Sequence, residues 1–286
     1  MAMHPLEPLS ADEITRAIAI LEPDGLIARV VLDEPAKSEL SNGSTERRAA
    51  ITVVPGPGTG LKEAVVSLTH EKVVSIEEVP DARPALLFED SINAIFALAE
   101  NEEFKAAMAR RGISSDDIAN GKVQLDPWPA GTFGIAHEEG RRLTRVIAFL
   151  RDEPTDNGYA RPIEGVVAFV DMGRGEVLEV QDHGVVPIPA DKGSYRLVDN
   201  GPARTGLQPL EITQPEGTSF TIDGHHIEWQ KWSVRVSVDP YEGLVLHAIT
   251  YDGRSVVHRA SISEMVVPYG DPGPLHGWKN AFDAGE

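Results

Sequence analysis

The chain has 286 residues, and its 26 Lys and Arg against 45 Asp and Glu give a formal charge of −19. That balance repels polyanions and argues against nucleic acid or an anionic membrane surface as a direct partner. The absence of cysteine removes disulfides, thiolate catalysis and Cys-ligated zinc or iron–sulfur sites.

The N-terminal residues show no basic region followed by an apolar core, so no signal peptide is expected. Ser10 and Glu13 form a capping-box pattern, and Ile14, Ala17, Ile18 and Leu21 follow at helical spacing. The spacing predicts a helix over 11–22, ended by Pro23-Asp24-Gly25. Short β-branched runs bounded by turn residues predict strands at 26–32, 50–54, 63–69 and 72–79. The polar segment 36–47 reads as an exposed hairpin loop. Residues 55–60, Pro-Gly-Pro-Gly-Thr-Gly, lack the Lys-Ser/Thr of a phosphate loop and the helix it would open. A hairpin tip is the simpler reading.

The order of helix then four strands recurs. Helices are expected at 89–99 and 102–111, with a further start at Ser114, and strands at 122–125, 144–150, 164–171 and 176–180. Short turns between consecutive strands imply antiparallel pairing. The charged run 138–142 reads as a solvated turn with local pairing. Two tandem helix-on-antiparallel-sheet domains follow, 1–85 and 86–190. A linker occupies 191–207, in a Gly-, Pro- and Asn-rich stretch with little regular structure.

That Gly- and Pro-rich texture runs on to 218, and after it the texture is purely β, with strands expected at 220–222, 226–230, 232–238, 244–251 and 255–267. Five strands make one layer, and a sandwich needs a second. Either another chain covers this sheet or 208–286 is the start of a larger β-sandwich. The fold class is therefore α+β: two helix-on-sheet domains followed by the first strands of a sandwich. No apolar run approaches the ~20 residues of a membrane helix, and a soluble, cytoplasmic protein is the expectation.

None of the nine histidines forms a His-x-His pair or a His-Glu-x-x-His motif. His225 and His226 would point to opposite faces of a strand, which suits structural roles better than shared metal ligation. Near the C-terminus, Asp283 follows Trp278 and Phe282. An apolar surround raises a carboxyl pKa toward that of a useful general base. Tyr269 could donate a hydrogen bond to a developing oxyanion. On residue chemistry alone, a capping Asp and a packed Tyr remain the simpler reading.

A run of motifs alters that balance. Met265-Val-Val-Pro-Tyr-Gly-Asp-Pro272 is followed by Asp283, fourteen residues after Tyr269, within Phe-Asp-Ala-Gly-Glu. Ahead of it stand Gly131-Thr-Phe-Gly134, Glu139-Gly-Arg-Arg142, Ala160-Arg-Pro-Ile-Glu-Gly165, Val185-Val-Pro-Ile-Pro189, Ile212-Thr-Gln-Pro-Glu-Gly217 and His226-Ile-Glu-Trp-Gln-Lys-Trp232. In this order they resemble the copper- and topaquinone-dependent primary amine oxidases. The resemblance covers essentially the whole chain, is strongest from 130 onward and is weak before 85.

The resemblance implies that Asp283 is the catalytic base, taking the α-proton of the cofactor-bound substrate, and that Tyr269 hydrogen-bonds the cofactor and fixes its orientation. It places Tyr159 in the lining of the substrate channel. Ala281, beside Phe282, falls where several relatives carry an aromatic gate. It implies copper(II) and topaquinone, a primary amine and O₂ as substrates, and a homodimer of the complete enzyme.

The departures are specific. The family forms its quinone from a Tyr in an Asn-Tyr-Asp/Glu motif, yet none of Tyr159, Tyr195, Tyr241, Tyr251 and Tyr269 follows Asn. The family's copper site uses a His-x-His pair, which is absent here. The expectation is an N-terminal portion or subunit with no metal ligands of its own, working with a C-terminal chain or segment that carries copper and quinone. A non-catalytic assembly module, or a truncated relic of the fold, is the alternative.

Overall fold

A computed structural model describes residues 4–43, 45–58, 60–131, 133–154, 156–262 and 265–279. The first helix, α1 (Ala11–Leu21), opens on a complete capping box: Ser10 Oγ accepts the Glu13 N–H, and the Glu13 carboxylate accepts the Ser10 N–H. Then come β1 (Leu26–Leu32), α2 (Lys37–Ser41), β2 (Arg48–Val54), β3 (Leu61–Ser67) and β4 (Lys72–Val79). The four strands form an antiparallel meander. Ala17 of α1 packs into its face with Ile51, Val53, Ala64 and Val66. The short α2 stands where only an exposed loop was expected. Its five exposed or half-buried residues have no apolar stripe, and the Ala36 N–H bonded to the Glu39 carboxylate organises the turn.

Three helices follow: α3 (Phe88–Ala99), α4 (Glu102–Ala109) and α5 (Ser115–Ala119). They precede a second meander of β5 (Val123–Pro129), β6 (Leu143–Leu150), β7 (Val166–Asp171) and β8 (Glu176–Asp182). Strand β5 runs four residues past the expected end, through Asp126-Pro-Trp-Pro129. It is an edge strand, where proline's missing donor can face away from the ladder. One face of this sheet packs on Ala94, Leu98, Phe104 and Met108 through Val123, Leu125, Val146, Ala148 and Val166. The opposite face presents Ile147, Phe149 and Val167, and the loop 266–279 covers it through the buried Leu275. With both faces covered, every residue of β7 is buried.

In the Gly- and Pro-rich stretch that follows, one helical turn appears, α6 (Leu197–Asn200). Ser194 Oγ bonded to Asp199, and Asn200 bonded to backbone carbonyls, hold it without any apolar face. The third sheet is a meander of β9 (Phe220–Asp223), β10 (His226–Trp229), β11 (Trp232–Asp239), β12 (Gly243–Tyr251) and β13 (Arg254–Ser261). Strand β13 stops at Ser261, short of the expected 267. Ser261 pairs with Val245, and β12 begins only two residues earlier, so the partner runs out. Ile222, Val238, Leu244 and Val256 of this sheet remain exposed.

The chain thus has the α+β class expected, with two helix-on-sheet arrangements followed by sandwich-type strands. By contact it gathers into two compact units, one of 1–56, 60–84 and 210–265, the other of 57–59, 85–209 and 266–286. In the first unit, ionic contacts tie the third sheet to the N-terminal elements. Glu7 reaches Arg235 and His225, each at 2.5 Å, Arg29 pairs with Asp239, and Glu34 pairs with Arg259 at 2.9 Å. His225 and His226 bond separately, His225 to Glu7 and His226 to Ser233 Oγ, as their opposed directions require.

Candidate functional site

The residues of interest converge on the helix-free face of the second sheet. The loop 266–279 closes on itself there, because the Tyr269 N–H donates to the Lys279 carbonyl at 3.2 Å. Inside it, the Asp271 carboxylate accepts the Gly273 N–H at 2.7 Å, the Gly273 carbonyl accepts the Gly277 N–H at 2.8 Å, and Trp278 Nε1–H donates to the Pro274 carbonyl at 2.8 Å. These bonds satisfy the loop's backbone locally and leave Leu275 as its apolar anchor.

The Tyr269 ring stands edge-on to Trp128 of β5, 5.9 Å between centroids at 90°, and lies nearly parallel to His276 at 6.0 Å. The Lys279 ammonium sits 3.7 Å from the Trp128 ring centroid and 5.6 Å from that of Tyr269. Beside it, the Arg145 guanidinium of β6 lies 4.8–5.0 Å from the rings of Phe133, Phe169 and Trp278. Burial pushes the Arg145 pKa down from its ordinary value, and ring faces offset part of that lost hydration. Phe133, Pro268, Tyr269 and Trp278 line an open cleft.

The charged run 138–142 is a structural clasp and not the solvated turn expected. The Glu138 carboxylate accepts the Phe133 and Gly134 N–H groups, each at 2.7 Å, and the Ile135 N–H at 3.3 Å. The Phe133 bond leads the causes that hold this carboxyl below the usual range. Arg142 is buried and pairs at 2.5 Å with the buried Asp90 of α3.

Tyr159 lies on a one-turn helix over Gly158–Ala160, its N–H held by Asn157 Oδ1 at 3.1 Å. Its half-exposed ring packs edge-on to Phe149 at 5.0 Å. Phe149 and Arg145 alternate to the same side of β6, and Arg145 pairs in register with Trp128. The fold therefore brings Tyr159 and Tyr269 to one face of one sheet. Asp283, Ala281 and Phe282 lie outside the described residues. Sequence reading missed Trp128, Arg145 and Lys279. Trp128 was hidden between two prolines that read as a strand end, and nothing local marks the two cations.

Among the described residues, no group of three or more His, Cys, Asp or Glu could hold a metal ion. The described residues therefore do not fit a copper site. No helix among them is long and apolar enough to cross a membrane.

The α+β architecture and the motif-bearing loop define a class. Family profiles described as "Copper amine oxidase, N3 domain" and "Copper amine oxidase, enzyme domain" match residues 90–196 and 221–286. The chain belongs to the copper amine oxidase family. It is 42% identical over 295 residues to a primary amine oxidase of Arthrobacter sp. (strain P1), covering 99% of this chain and 45% of that protein. It is 41% identical to a histamine oxidase of Arthrobacter globiformis, covering 100% of this chain and 43% of that protein. Among solved structures, a copper-containing benzylamine oxidase from Hansenula polymorpha superposes with a TM-score of 0.78 at 25% identity, covering 98% of this chain and 48% of that one. The chain thus spans less than half the length of these relatives.

Proposed function

We propose that this chain is the N-terminal portion of a primary amine oxidase that converts a primary amine, O₂ and water to an aldehyde, ammonia and hydrogen peroxide. The observation that carries the reading is the Met265–Pro272 motif, in a loop that seats Tyr269 among aromatic rings, together with 42% identity along 99% of the chain to a primary amine oxidase. Residues 1–85 and 86–190 are taken as the two small domains, 191–207 as the linker and 208–286 as the beginning of the catalytic sandwich. Copper and a tyrosine-derived quinone supply the oxidising chemistry, held by residues outside this chain.

Within this reading the chain's own residues bind, orient and move one proton. Asp283 accepts the proton from the carbon that bears the amine. Trp278 and Phe282 precede it in the sequence, and an apolar surround of that kind would suit a carboxylate serving as base. The Tyr269 hydroxyl donates a hydrogen bond that orients the group against which the amine reacts. Tyr159, Ala281 and Phe282 line the approach. A small residue at 281, where several relatives carry an aromatic, would leave the entrance wider. The assembled enzyme is taken to be a cytoplasmic homodimer.

Two measurements test this. The purified 286-residue chain should neither bind copper stoichiometrically nor oxidise amines, and stoichiometric copper with quinone absorbance would overturn the division of labour. In the full-length enzyme, Asp283→Asn should abolish proton abstraction with the fold intact. Near-normal turnover would remove Asp283 from the mechanism.

A further inference from the structure

Building on the role proposed for Tyr269, we propose that Trp128 and Lys279 are positioning residues that hold the Tyr269 ring in the orientation its hydroxyl needs. Neither residue falls in the motifs that carry the family resemblance.

Tyr269 is 41% exposed on its loop. A tyrosine on a loop has several accessible rotamers unless packing selects one. Here three neighbours make that selection: the Trp128 ring at its edge, the His276 ring parallel to it, and the Lys279 ammonium. His276 belongs to the same loop and moves with it. Trp128 belongs to the sheet, so it alone of the two rings refers Tyr269 to a rigid frame.

Trp128 is built to be rigid. Pro127 and Pro129 flank it and restrict φ on either side. Its Nε1–H donates to Asp126 Oδ2 at 2.9 Å, and its carbonyl accepts Thr144 Oγ1–H at 2.7 Å. Lys279 then couples sheet to loop at both of its ends. Its carbonyl accepts the Tyr269 N–H, and its side chain, in a residue only 5% exposed, sets the ammonium over Trp128. An ammonium removed from water is costly unless other groups solvate it, and a ring face at 3.7 Å is a strong substitute. Pulling the lysine off Trp128 would expose the tryptophan face and release the loop's closing bond together. Tyr269 is thereby held in place by one residue in the sheet and one in its own loop.

The test uses tyrosine-labelled NMR on the 286-residue chain, with Tyr269 assigned by loss of its signal in Tyr269→Phe. Trp128→Leu and Lys279→Met should each move the Tyr269 ring resonances toward rotamer-averaged values. Trp128→Phe and Lys279→Arg should restore most of the shift. In the full-length, cofactor-containing enzyme the same two disruptive variants should shift the visible quinone band. They should also lower kcat by about 10- to 100-fold with KM little changed. Tyr269 resonances unmoved in both disruptive variants would overturn the positioning role. If Trp128→Leu fails to fold, Lys279→Met and Lys279→Arg decide the matter alone. Should Tyr269→Phe leave the visible band and kcat unaltered while the resonances do move in the variants, the reading of Tyr269 itself is what fails.

Discussion

Asp90 and Arg142 show how a charge can be misread locally. Arg142 ends a run of five consecutive charged or glycine residues, and nothing in its neighbourhood marks it as buried. Its partner lies 52 residues away on α3, and the pair closes only when the helix packs on the sheet. Burial pushes the Asp90 carboxyl up, against the pull of Arg142. Removing one partner strands the other charge away from water, whereas replacing both by apolar groups leaves nothing to strand. Asp90→Leu and Arg142→Met should therefore each cost about 3–5 kcal/mol, while the two substitutions together should recover most of that loss. Urea unfolding of the four proteins gives the coupling directly. Additive single-variant costs would mean that the pair is not a unit. The clustered cations of the Tyr269 site escaped notice for the same reason, since Arg145 and Lys279 acquire meaning only from rings that other strands and loops supply.

Secondary-structure elements were far more readable, because their determinants are local. The Ser10/Glu13 box lies within four residues, and the observed helix begins where that box places it. Strands β1 and β4 match their expected limits because turn residues bound them on both sides. The misses follow from non-local facts. Strand β5 continues through two prolines because it lies at a sheet edge, and β13 ends where β12 has no more residues to offer. The short α2 and α6 rest on side-chain bonds to backbone and carry no periodicity. Glu13 makes the first cap more consequential than its class. The same carboxylate that accepts the Ser10 N–H also receives Arg47 Nε and Nη2, each at 2.9 Å, and Arg47 in turn binds the carbonyls of Pro5, Glu7 and Pro8. Ser10→Ala should destabilise the first unit by about 1 kcal/mol, and Ser10→Gly by only a few tenths. Thermal unfolding of the two variants checks the order, and an equal effect of Ala and Gly would count against capping as the cause.

At the scale of the whole molecule, the feature least readable in advance is the joining of the third sheet to the N-terminal elements. The contacts span more than 200 residues of sequence: Glu7 to Arg235, Arg29 to Asp239, Glu34 to Arg259. They are ionic and partly exposed, so pH and salt should control them more than temperature does. Burial pushes the Asp239 carboxyl up, but Arg29 and the N–H groups of Tyr241 and Glu242 outweigh it and hold the pKa below 3.8. Hydrogen bonds from Arg259, then Ser261, hold Glu242 below 4.5. A carboxyl depressed in the folded state stabilises it above the unfolded value, and that contribution is lost as pH falls through the folded value. The third sheet should therefore loosen as the solution is acidified below about pH 4, while α1, packed on β2 and β3 through Ala17, Ile51 and Val66, keeps its apolar contacts. Hydrogen exchange at pH 7 and near pH 3.5 tests this. Amides of β10–β12 should lose protection before those of β2 and β3, and Glu7→Gln with Asp239→Asn should produce the same order at pH 7. If the two sheets open together under every condition, then apolar packing and not these ion pairs joins them.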